Sequence, residues 1–105
     1  MTRDEIMEYN EEALLLEERY DSAIIGVAER INLGPVVAYD SEKIIEILAK
    51  DMEVSEEELA EDGRDIKDIK YEMAIEYFDF NIKGSWVGEN TPVFITKSQE
   101  QIKRV

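Results

Sequence analysis

Two short runs rich in β-branched residues, AIIGVAER at 23–30 and PVVAYD at 35–40, stand four residues apart, and that closeness constrains the fold more than anything else in the chain. A gap so short leaves room for a turn and little more, so the two runs are expected to pair as an antiparallel hairpin. The turn signals are Asn32, Leu33, Gly34 and Pro35, with the Gly-Pro pair the strongest of them. Gly26 inside the first run marks a bulge or a close backbone approach.

The rest of the chain reads as helix around that hairpin. Residues 2–20 carry a capping box at their start, with Thr2 answered by Glu5 three residues later. The run Ala13-Leu14-Leu15-Leu16 is too dense for one helical face, and reads as a buried helix end or a short strand. Asp40 or Ser41 caps a helix over 41–51 whose apolar face is Ile44, Ile45, Ile47 and Leu48. A second capping box, Ser55 with Glu58, opens a short helix with Val54 and Leu59 as its hydrophobic staple and Gly63 as its stop. From Asp65 to Lys83, Ile66, Ile69, Met73, Tyr77 and Phe80 recur every three or four residues, which predicts a long helix with that set as its core face and Phe78 off it. Gly84 stops it, a glycine-bounded loop follows, and Pro92 opens a third strand over 92–96. Helices and strands do not alternate strictly. The expected class is α+β, a small three-stranded antiparallel sheet with helices packed on one face, in one domain of 105 residues.

Charge sets the surface. There are 26 acids against 12 bases, a net charge of −14. Residues 1–21 hold eight acids and two bases, and residues 51–79 hold twelve acids and three bases, around a nearly balanced centre. Such a chain repels nucleic-acid phosphates and anionic membrane surfaces and favours basic partners. The absence of Cys excludes disulfides and thiolate chemistry, and the absence of His removes the usual proton shuttle and the commonest transition-metal ligand. The acidic N-terminus lacks the layout of a signal peptide, and no apolar run reaches membrane-spanning length. The expected setting is cytosolic.

Four constellations could carry chemistry. The acids of 56–79 include Glu57, Glu61, Asp65, Glu72 and Glu76, and could imitate DNA. Ten acids on one unbroken helix would fall one per about 3.6 Å, or one net charge per about 5 Å after three bases, against one per about 1.7 Å for duplex DNA. That density is about threefold too low, so a solvated acidic face with i,i+4 pairs is the simpler expectation. Asp62, Asp65 and Asp68 recur every three residues and could gather around Mg²⁺ or Ca²⁺, but no EF-hand spacing is present and a single carboxylate row lacks a second element, so no metal or cofactor is expected. Asp40 is the best-placed acid for catalysis, yet an aspartate there is more simply a helix cap. The segment Ser85–Thr91 puts the only tryptophan, Trp86, between glycines with Glu89 and Asn90 beside it, and tryptophan is enriched at interface hot spots.

The stretches DSAIIGVAERINLGPVVAYDSEKIIEIL and EMAIEYFDFNIKGSWVGENTPVFI resemble a family of short hypothetical proteins encoded by tailed bacteriophages. The shared pattern is an acidic residue and alanine before I-I-G-V, then V-A-Y-D leading into a helix, then E-Y-F-x-F-N and an aromatic-V-G-E-x-T-P-V-F. The resemblance covers Ala13 to Ile95. Residues 1–12 then stand as an N-terminal extension, residues 53–68 replace a shorter connection, and 97–105 form a polar tail expected to fray. The resemblance implies a viral protein in the host cytosol and implies no activity. The expected function is a non-enzymatic accessory protein that binds and modulates a host protein with a basic surface, through Trp86, Glu89 and Asn90 or through Glu57, Glu61, Asp65, Glu72 and Glu76. The alternatives are a small Mg²⁺- or Ca²⁺-dependent enzyme using carboxylates, and a minor virion assembly factor.

Overall fold

In the computed structural model, which describes residues 1–85 and 88–97, the hairpin forms the centre of the fold. Its strands are β1, Ile24–Arg30, and β2, Leu33–Asp40. The turn is tighter than expected. Ile31 and Asn32 alone make it, Arg30 pairs with Leu33, and Asn32 takes the left-handed conformation at φ 62° that asparagine tolerates. Gly34 and Pro35 lie inside β2, where two residues stand against the single Glu29 between the Ala28–Val36 and Arg30–Leu33 pairs. A proline without an N–H is tolerated at such a bulge. A second irregularity falls at Ile25, beside Gly26.

The helices follow from local signals. Helix α1, Arg3–Tyr9, is held by the expected capping box: Glu5 N–H donates to Thr2 Oγ1 at 3.2 Å and Thr2 N–H to Glu5 Oε1 at 3.1 Å. It does not run on to residue 20. Asn10 breaks it, giving its side-chain N–H to Pro35 O at 2.8 Å and accepting from Glu12 N–H at 3.0 Å. The chain then runs through 13–17 without helix or ladder, before a 3₁₀ turn at Glu18–Ala23. Leu14 N–H donates to Asn90 O and Leu16 N–H to Tyr39 Oη at 2.9 Å, so the Ala-Leu-Leu-Leu run is neither helix end nor strand. Ile6 of α1 is fully buried, which places the N-terminal segment within the core.

Helix α2, Ser41–Asp51, is capped by Asp40, whose carboxylate accepts from Glu42 N–H and Lys43 N–H at 3.0 and 3.3 Å. Helix α3, Glu56–Asp62, ends at Gly63, whose φ of +74° is the left-handed stop glycine supplies cheaply. The side chain of Glu58, half of the expected second capping box, lies outside the described ones. Helix α4, Ile66–Tyr77, starts from Asp65 as N-cap and continues into a π-helix at Phe78–Lys83. Strand β3 is Val93–Ile95.

The sheet order is β1-β2-β3, but β3 runs parallel to β2, through Ala38–Val93, Tyr39–Phe94 and Asp40–Ile95. The expected all-antiparallel sheet is therefore corrected to a mixed one. The cause is the long helical crossover between them, which returns the chain to the end of the sheet where β2 began; an antiparallel neighbour needs only a tight turn. The central strand is buried on both faces, at every residue from Val36 through Tyr39. One cluster joins Ile6, Leu16 and Tyr20 to Val37 and Tyr39, to Ile44, Ile45 and Leu48 of α2, and to Ala74, Phe78 and Ile82. Phe94 ties the crossover to the sheet, edge-on to Phe78 at 5.2 Å and stacked near Tyr39 at 6.1 Å.

Candidate protein-binding surface

Helix α4 carries the surface of interest, because three stripes run along it. At about 100° per residue, Asp65, Asp68, Glu72 and Glu76 recur every three or four positions and form an acidic stripe, all exposed. Lys67, Lys70, Ala74 and Phe78 recur the same way and form the stripe toward α2, buried from Ala74 onward. Between the two lie Ile66, Ile69, Met73 and Tyr77, the set the sequence spacing assigned to the core.

That assignment fails for most of its members. Ile69 is buried and Met73 half-buried, but Ile66 is 39% exposed, Tyr77 41% and Phe80 79%. Phe78, expected off the face, is 4% exposed and belongs to the core. For Phe78 and Phe80 the π-helix is the reason. Its wider turns carry extra residues per revolution, so an i+3 or i+4 rule counted from Ile66 points the wrong way beyond Tyr77. Gly84 makes this turn possible. A Cβ there would sit 2.9 Å from Asp79 O and 3.4 Å from Phe80 O, the carbonyls that crowd the end of the π-helix. The missed signal was a rival stripe, Ala74, Phe78 and Ile82, spaced by four.

Met52, Met73, Glu76, Tyr77, Phe80 and Asn81 enclose a shallow cleft of 330 Å³. Met52 follows the end of α2, so two elements supply the walls. Two exposed aromatic rings beside two half-buried thioethers, with Glu76 in the same cleft, have the composition of an interface centre with a charged rim. Met in particular lets such a surface adapt to its partner.

The residues singled out from sequence are dispersed. Trp86 lies outside the described residues. Glu89 is exposed, while Asn90 ties the chain together: its side-chain oxygen accepts from Asn10 Nδ2 at 3.2 Å and its carbonyl from Leu14 N–H at 3.0 Å. Glu57 and Glu61 are exposed on α3. Asp65 is committed to its cap, and Glu72 accepts from Arg64 Nη1 at 2.7 Å. Gly63 separates α3 from α4, so the acids of 56–79 do not share one helix axis. The side chain of Asp62 is outside the described ones, and among the described residues no three acids gather in a metal-holding group. Asp40 serves as helix cap, with Lys97 Nζ at 3.9 Å from its other oxygen.

Two buried tyrosines have perturbed hydroxyls. Burial raises the Tyr39 pKa above its ordinary value, partly opposed by the hydrogen bond from Leu16 N–H. Burial also raises that of Tyr20, against the pull of Arg19, whose guanidinium lies 4.8 Å from the ring centre. Tyr20 Oη is buried without a hydrogen-bond partner among the described residues.

Comparison of the chain with protein-family models, with curated proteins and with solved structures finds no match in any of the three. Among the described residues no helix is long and apolar enough to cross a membrane.

Proposed function

We propose that this chain is a non-enzymatic bacteriophage accessory protein that acts in the host cytosol by binding and modulating a host protein. The contact centre is Tyr77, Phe80, Met73 and Met52, with Glu76 as the rim that selects a basic neighbourhood on the partner. One observation carries the proposal above the others. Phe80 is 79% exposed beside an exposed Tyr77, on a segment whose π-helical turn puts it outward while Phe78 fills the core. Leaving such a ring in water forgoes about 1.5–3 kcal/mol of burial, and π-bulges recur at functional sites. The net charge of −14 adds electrostatic steering toward a basic partner, a contribution that falls with ionic strength.

The test is affinity capture from host lysate at physiological salt, comparing the wild-type chain with Phe80→Ala and with Tyr77→Ala/Phe80→Ala. A hot-spot aromatic is worth about 2–4 kcal/mol, so the single variant should weaken capture of a specific protein about 30-fold or more. Capture that is unchanged by both variants, or that returns nothing specific, removes the proposal.

A further inference from the structure

The described part of the chain holds ten of its cations, and most are matched to an acid or a carbonyl. Arg3 pairs with Asp21, Arg19 with Glu17 and Asp51, Lys43 with Glu46, Arg64 with Glu72 and Lys97 with Asp40, while Arg30 donates to Gly34 O. Among the described residues Lys50, Lys67, Lys70 and Lys83 have no carboxylate within ion-pair distance. In a chain with 26 acids that is unexpected, and three of those four lie together. Lys50, Lys67 and Lys70 line a groove of 510 Å³ between α2 and α4, with Ala49, Tyr71 and Glu46.

The helix pattern shows how they come to be there. Lys67 and Lys70 occupy the stripe of α4 that, one and two turns further on, buries Ala74 and Phe78 against the body. At the positions where that stripe leaves the core, the chain carries ammonium groups in place of the apolar residues that would close the gap to α2. Their methylene stems, Ala49 and the Tyr71 ring, 42% exposed, give the groove a mostly apolar lining that carries three cationic side chains. Glu46 is the one acid lining the groove, and Lys43 lies 3.9 Å from it.

We infer that this groove binds a small polyanion with a planar body, of the nucleoside-phosphate class: the lysines take the phosphates and Tyr71 stacks on the base. Lysine suits phosphate as a point charge, and a groove of this volume suits a small molecule. The size limit follows from the rest of the surface. The acidic stripe of α4 lies across a helix about 10–12 Å wide, beyond the Debye length of about 8 Å at physiological salt. Its repulsion of a compact anion in the groove is therefore weakened. A polynucleotide would have to continue over acidic surface, and is repelled. The groove is separate from the Phe80 surface, so the two proposals stand or fall independently.

Titration of the whole chain with adenosine triphosphate, free of added metal and followed by calorimetry and amide NMR shifts, tests this. Saturable binding with a Kd below about 1 mM is expected, with shifts centred on Lys50, Lys67, Lys70 and Tyr71. Lys67→Ala/Lys70→Ala should weaken it at least about tenfold, with an unchanged melting curve to show that the fold is intact. Tyr71→Leu should weaken adenosine triphosphate while sparing inorganic tripolyphosphate. Adenosine and a short oligothymidylate should both bind more weakly than the triphosphate. Three results each overturn the inference: no saturation by about 5 mM, binding indifferent to the lysine pair, or tighter binding of the oligonucleotide or of polyglutamate.

Discussion

Exchanging the roles of two phenylalanines two residues apart is the sharpest claim the structure makes, and separate truncation of each tests it. Phe78 is 4% exposed and lies edge-on to Phe94 at 5.2 Å, which in turn stacks near Tyr39; Phe80 is 79% exposed. Replacing a core phenylalanine by alanine removes the ring and leaves a cavity, about 3–5 kcal/mol in all, of which the aromatic pair accounts for about 0.5–1.5. Total stability for a domain of this kind is about 5–15 kcal/mol, so Phe78→Ala consumes a large share of it. Phe80→Ala removes a ring that is mostly in water already and should change stability by less than about 0.5 kcal/mol. With about 4–8 °C per kcal/mol for a domain near 100 residues, Phe78→Ala should melt at least about 12 °C lower and Phe80→Ala within about 4 °C of the wild type. Urea unfolding and thermal melts followed by far-UV circular dichroism measure both. Equal losses, or a larger loss for Phe80→Ala, would mean that the helix keeps α-helical spacing past Tyr77, and the proposed surface would be lost with the π-helix.

Three further outcomes follow from single contacts. Gly84→Ala places a Cβ 2.9 Å from Asp79 O, and should cost about 1–3 kcal/mol in the same urea experiment, as a crowded site does. Tyr39→Phe leaves the buried Leu16 N–H without its 2.9 Å acceptor and should cost about 1–3 kcal/mol, with faster hydrogen exchange at the Leu16 amide. Alkaline pH should also unfold the protein: burial holds the Tyr20 and Tyr39 hydroxyls protonated in the fold, so above the ordinary phenol pKa of 10.0 the unfolded chain releases protons that the folded one retains. Stability is then full below that value and falls as pH rises through the folded pKa values. Tyr20→Phe should flatten the fall and, since Tyr20 Oη has no partner among the described residues, leave stability at neutral pH equal or higher. Melting temperature and phenolate absorbance across that range check both.

What the amino-acid sequence determined by itself are the features settled within about four residues of chain. The Thr2–Glu5 capping box, the Asp40 cap of α2 and the stop at Gly63 formed where the residues placed them, because each donor and acceptor finds its partner nearby, and β1 paired with β2 as expected though through a tighter turn. The mixed sheet was not legible, since the parallel seat of β3 beside β2 depends on where the whole helical crossover delivers Val93. Nor was the break after Tyr9, where Asn10 trades further helix for contacts to Pro35 and Asn90, residues far along the chain. The candidate surface was hidden for the same reason. Periodicity already failed at Ile66 and Tyr77, which are 39% and 41% exposed, and beyond them the burial of Phe78 and Ile82 in the core, with the π-helical turns, left Phe80 on the surface. Local hydrogen bonds are encoded in neighbours, whereas the choice of which side of a helix is inside is made by whatever the helix meets.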